Sequence, residues 1–171
     1  MKKLLLILLF LPMIGFGQTA EDYFNKALFS SDYQYKIDNY TKCLSKDPDY
    51  AAAYYNRGNV YLNLGNTEDA IADYSRSIGI DPDHAKAYSG RGHAYNKLGN
   101  YKDAIADCTR AVKIDPDYAK AYFNRGVAYY KLEKYNDALW NWNKAIKKNH
   151  DYADAYFNRG VVYNKLGNYK D

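Results

Sequence analysis

Within Ala51–Leu64 the large apolar or aromatic positions Tyr54, Tyr61 and Leu64, with Gly58 between them, recur at steps of three, four and seven, which is one face of a helix. Ala70, Ile71, Tyr74, Ser77 and Ile78 repeat the pattern within Glu68–Ile80. The spacing predicts two amphipathic helices of about 12–14 residues, an ordinary length. Between them Gly65 suits the left-handed residue that closes a helix. Asn66 is placed to cap the next helix, and Glu68 and Asp69 lie at the positive end of its dipole. Asp81-Pro82 stops the second helix, because proline cannot continue it and pushes the preceding residue out of the α region.

The whole unit returns every 34 residues. AYFNRG stands at Ala121–Gly126 and again at Ala155–Gly160, with AYSGRG at Ala87–Gly92 and AYYNRG at Ala53–Gly58. Asp47-Pro48, Asp81-Pro82 and Asp115-Pro116 keep the same beat, as do Leu64-Gly65-Asn66, Leu98-Gly99-Asn100 and Leu166-Gly167-Asn168. A fixed step of this size signals stacked repeats. It also explains the composition: most of the 21 tyrosines among 171 residues fall on repeat positions such as Tyr54, Tyr88, Tyr122 and Tyr156. Gly58 and Ala70 are small where their neighbours are large, which suits two helices crossing at about 8–10 Å with Tyr54, Tyr61 and Tyr74 around the contact. One such pair cannot bury its face alone, so neighbouring pairs stack.

These residues resemble the tetratricopeptide repeat. Tyr54, Gly58, Tyr61, Ala70, Tyr74, Ser77 and Pro82 match its pattern, followed by Tyr88, Gly92, Tyr95, Ala104, Ala111 and Pro116, then Tyr122, Gly126, Tyr129, Ala138, Trp142 and Ala145. Cys108 departs from it where an aromatic is usual, and His150 where proline is usual. The resemblance implies an all-α fold, a right-handed α-solenoid of antiparallel helix pairs. The expected organisation is a degenerate unit over 18–50, full units over 51–84, 85–118 and 119–152, and the first helix only of a unit over 153–171. That last unit leaves Tyr156, Tyr163 and Leu166 without the cover of a second helix.

Arginine holds the seventh position of every regular unit (Arg57, Arg91, Arg125, Arg159), beside the packing glycine. A charge near a seam should be paired, and Asp73 and Asp107 are the natural partners. In the resembled family the first helices line a concave groove, and its members with an asparagine column use those amides to hold the backbone of an extended peptide. Asn56, Asn124 and Asn158 form such a column here, with Gly90 as a missing rung. Lys97, Lys131 and Lys165, with Lys86 and Lys120, accompany them, and Asp154 is the one carboxylate among these positions of the regular units. The groove is therefore expected to be mildly positive and to favour acidic segments; a solvated helix face is the alternative for the lysines. The family's chaperone-binding carboxylate clamp needs five residues. Asn59 and Lys120 match it, while Tyr55, Gly90 and Asn124 do not. Trp140 is expected to be either an exposed anchor or packed over Tyr156 or Phe157.

The N-terminus is a separate object. Lys2-Lys3, the apolar run Leu4–Leu11, Pro12, and the small residues Gly15 and Gly17 read as a secretory signal peptide over residues 1–17. The rival, an uncleaved anchor, has only the 13 residues Leu4–Phe16 against the roughly 20 that a spanning helix needs. Export to the periplasm or medium is expected, with no stable membrane span after cleavage. The formal charge of +4, or +2 without Lys2 and Lys3, is too small to suggest nucleic acid. Cys43 and Cys108 lie in units that do not adjoin, too far apart for a disulfide, and are expected to be free and buried. His84, His93 and His150 have no metal-ligand spacing, and no phosphate loop or nucleophile elbow is present, so neither an enzyme nor a cofactor is expected. The expected partner is a protein or peptide, with self-association through the incomplete last unit a further expectation. A docking portion of a larger envelope protein is the alternative reading.

Overall fold

The structure, a computed structural model, describes residues 18–167. The proposed signal peptide over 1–17 lies outside the described residues. Among those described there are nine helices and no strand: α1 Ala20–Phe29, α2 Tyr33–Lys46, α3 Ala51–Leu64, α4 Thr67–Ile80, α5 Ala85–Lys97, α6 Tyr101–Ile114, α7 Ala119–Lys131, α8 Tyr135–Lys148 and α9 Ala153–Lys165. No described helix is long and apolar enough to cross a membrane.

Each odd-numbered helix from α1 to α7 packs on the even-numbered helix that follows it, and each pair leans on the next through α2–α3, α4–α5, α6–α7 and α8–α9. The first helices also approach one another: α5 packs on α7, and α3 touches α5. The second helices α4, α6 and α8 make no comparable contact with each other. The stack therefore curves with its first helices on the inside, and the architecture is an α-solenoid.

Small residues set the spacing within each pair. A Cβ on Gly58 would meet the Tyr74 ring at 3.0 Å, one on Gly92 would meet Cys108 Sγ at 2.7 Å, and one on Gly126 would meet Trp142 Nε1 at 2.5 Å. Cys108, the departure from the aromatic pattern, thus fills the same place as Tyr74 and Trp142 with a smaller group. Ala70, Ala104 and Ala138 are fully buried on the opposing helices. In the degenerate unit a short first helix, α1, buries Ala27 and places Phe24 4.9 Å from the Tyr50 ring and 5.7 Å from that of Tyr40.

Helix ends follow the sequence with one correction. Gly65 takes φ +86°, and Asn66 donates its backbone N–H to Tyr61 O at 2.9 Å, closing α3 as expected. Asn66 does not cap α4 with its side chain, however: its ψ of 70° is outside the extended range from which an N-cap side chain reaches the first-turn amides. In the third regular unit Glu133 stands where the other turns have glycine, and it holds φ +60°. A left-handed residue with a Cβ costs roughly 1–2 kcal/mol. Glu133→Gly is accordingly expected to raise stability by about 1 kcal/mol, read as a higher thermal midpoint; an unchanged or lower midpoint would show the turn to be unstrained.

Cys43 and Cys108 are free and buried, on α2 and α6. Burial pushes the Cys43 thiol up to about 11, and that of Cys108 further in the same direction.

Candidate functional site

The arginines of the seventh position form a ladder. Arg57 makes two bonds to Asp73, Nε and Nη2 each at 2.8 Å, and Arg91 makes the same pair to Asp107 at 2.7 and 2.9 Å. The ladder also has a second rail. Each arginine also donates its Nη1 to the second helix of the preceding unit: Arg57 to Thr41, Arg91 to Ser75, Arg125 to Thr109 and Arg159 to Asn143. These acceptors stand a constant 16 residues before each arginine, a signal the sequence carries. The arginines thus clamp successive units together.

The groove residues expected from the sequence fall into two groups. In the first, the side chains are engaged at home. Asn56 donates Nδ2 to Ala52 O at 2.9 Å within its own helix. Asn59 accepts the Tyr74 hydroxyl at 2.8 Å. Asn124 is buried, at 2% exposure, and donates to both the carbonyl and the hydroxyl of Ser89 at 3.2 Å. Its own carbonyl accepts Asn96 Nδ2 at 2.8 Å, so Asn124 joins α7 to α5. Gly90 is not simply an absent rung: a Cβ there would meet the Tyr74 ring at 2.9 Å, and the ring that bonds Asn59 occupies the place of the missing amide.

The second group is open. Lys86, Lys97, Lys120 and Lys131 are exposed, and Asn158 is half-buried. Lys97 and Lys120 stand on α5 and α7, which pack on each other, and His93 of α5 is half-buried. Burial, then Lys120 and Lys97, hold the His93 imidazole below its ordinary range, so it is neutral at pH 7 and the local charge comes from the two lysines. Lys165 stands apart: its ammonium lies 4.9 Å from the Tyr135 ring centroid, and the Tyr135 side chain raises its pKa. Aromatic residues run alongside, with Tyr55 5.0 Å from His84, and Phe123 4.9 Å from Tyr152.

The face of α9 that would meet a following helix is uncovered among the described residues. Tyr156, Phe157 and Leu166 are exposed, Tyr163 is half-buried, and a Cβ on Gly160 would meet nothing within 4 Å. Trp140 is 51% exposed, and its ring neighbours are Tyr122, Arg125 and Lys144 rather than Tyr156 or Phe157.

Stacked helical pairs, an inner wall of first helices and a ladder of seam charges define a helical repeat solenoid. The family model described as tetratricopeptide repeat matches residues 51–84, and the one described as TPR repeat matches 92–133 and 128–167. The chain belongs to the tetratricopeptide repeat family. No curated protein matches it in sequence. Among solved structures, MamA is 26% identical with a TM-score of 0.77, covering 89% of this chain and 85% of its own. YrrB, described as a TPR protein with an unusual peptide-binding site, is 27% identical at a TM-score of 0.70, covering 88% and 79%. The first TPR of Spaghetti (RPAP3), bound to the HSP90 peptide SRMEEVD, is 26% identical at a TM-score of 0.67, covering 71% and 96%.

Proposed function

We propose that this chain is an exported, non-catalytic scaffold that holds an acidic, extended segment of another polypeptide against its inner wall. The observation that carries the reading is the exposure of Lys97 and Lys120 on α5 and α7, two first helices that pack on each other and are joined by the Asn96–Asn124 bond. Lys86 and Lys131 extend the charge along the neighbouring turns, and Asn158 is the asparagine of the column with no hydrogen bond among the described residues. RPAP3, in complex with an acidic peptide, and YrrB, with its peptide site, support the class of partner. Export rests on Lys2-Lys3 and the short apolar run that follows.

The exposed Tyr156 and Phe157 of α9 favour a second reading, a docking portion of a larger envelope protein. One experiment separates the two. Fluorescence anisotropy with a set of labelled acidic peptides should show binding that weakens at least about tenfold in Lys97→Glu/Lys120→Glu, as losing and reversing two close charges implies, and that is unaffected by Phe157→Asp. Loss only in Phe157→Asp would transfer the function to α9. Equal binding by wild type and the double lysine variant would end the groove reading.

A further inference from the structure

The arginine ladder changes at its third rung. Asp73 and Asp107 each present two oxygens to an arginine, whereas the corresponding residue on α8 is Asn141. Arg125 donates Nε to Asn141 Oδ1 at 2.7 Å and Nη1 to Thr109 Oγ1 at 3.1 Å. The amide has nothing further to offer the guanidinium, because its Nδ2 is a donor and is spent on Asp137 O at 2.8 Å. Among the described residues Arg125 therefore has no carboxylate partner and its Nη2 no acceptor. It is also the most deeply buried arginine of the ladder, at 9% exposure. A guanidinium withdrawn from water normally comes with a fully matched acceptor set.

This arginine borders an open cleft of about 410 Å³, lined by Arg125, Tyr129, Asn136, Asp137, Trp140 and Asn141. None of these residues belongs to the inner wall, so the cleft is distinct from the groove. Trp140 forms one side, with the Arg125 guanidinium carbon 5.7 Å and the Lys144 ammonium 5.1 Å from its ring centroid. Arg125 and Asp137 are the charged residues that line the cleft, and Asp137 lies beyond ion-pair distance of Arg125. The cleft thus borders an incompletely bonded guanidinium with no carboxylate within ion-pair distance among the described residues.

We infer that this cleft is a second binding site, specific for a carboxylate, which supplies Arg125 from outside the chain with the acceptor that Asp73 and Asp107 supply to Arg57 and Arg91 from within. Trp140 provides a flat apolar wall for the body that carries the carboxylate, and the Asp137 carboxylate opposes the bound anion. Because Arg125 also clamps Thr109 of the preceding unit, ligand binding ties the cleft to the seam between the second and third regular units.

The two tryptophans make the test internal to the protein. In nitrogen-15 NMR spectra, sodium acetate and the blocked peptide acetyl-(Glu)4-amide are titrated separately against sodium chloride of equal ionic strength. The Trp140 indole and Arg125 Nε–H signals should shift saturably, while the Trp142 indole, held by Phe123 O at 3.3 Å, stays in place. N141D completes the ladder internally and should weaken the response at least about tenfold while the protein melts no lower than wild type. Asp137→Asn should tighten binding by removing the opposing charge. A peptide that binds far more tightly than acetate would identify an acidic polypeptide segment as the source of the carboxylate; comparable binding would identify a small acid. Shifts in wild type no different from those with chloride, or an undiminished response in N141D, would overturn the inference.

Discussion

Asp107→Ala is expected to destabilise the chain by about 3–5 kcal/mol, among the largest effects of any single substitution, because it leaves the Arg91 guanidinium withdrawn from water without its counter-charge. The pair is bidentate, at 2.7 and 2.9 Å, with side chains only 19% and 11% exposed. Removing one partner of such a pair costs far more than the pair itself contributes, since the remaining charge keeps its desolvation penalty. Asp107→Asn is expected to cost less, about 1–3 kcal/mol, because Asn141 shows that an amide oxygen accepts the arginine Nε at 2.7 Å in the same place. Urea denaturation of the two variants beside wild type checks the order; midpoints indistinguishable from wild type for both would mean that the ladder contributes nothing to stability.

Trp142→Ala is expected to cost a similar amount, about 3–5 kcal/mol. Trp142 is 1% exposed and is the largest side chain of a core cluster with Tyr122, Ala138, Ala145, Ile146, Ala155 and Val162. Its indole fills the space left by the missing Cβ of Gly126, so the two positions are one packing unit. Gly126→Ala alone should therefore destabilise, by about 1–3 kcal/mol, through overpacking. In the Trp142→Ala background the same change should become neutral or favourable, since alanine is the better helix former by about 1 kcal/mol. A double-mutant cycle with no coupling between the positions would refute this account of the helix crossing.

Much of this architecture was legible in the sequence because it depends on interactions inside one repeat. The helical faces, the glycine at the crossing, the left-handed turn at Gly65 and the pairing of Arg57 with Asp73 all lie within a single unit. The position of Asn66 before α4 suits a side-chain cap, but its backbone N–H closes α3 and its ψ turns the side chain away from that role. The strained turn at Glu133 was visible as a break in the Leu-Gly-Asn series, but its positive φ is a consequence of keeping the helix pair in register.

The state of the asparagine column was not legible. Identical letters at Asn56, Asn124 and Asn158 have three different surroundings: a bond inside its own helix, a bridge to Ser89, and no bond among the described residues. Gly90 looked like a lost rung because the sequence does not show that the Tyr74 ring enters from α4.

The sequence by itself determined that the chain is a stack of helix pairs with charged seams, because a fixed period places the same groups at the same depth in each pair. Only the tertiary structure decided which polar side chains remain free. The bonds that engage Asn96 and Asn124 join residues 28 and 35 apart, and so depend on how one unit seats against the next rather than on the repeat that each unit copies.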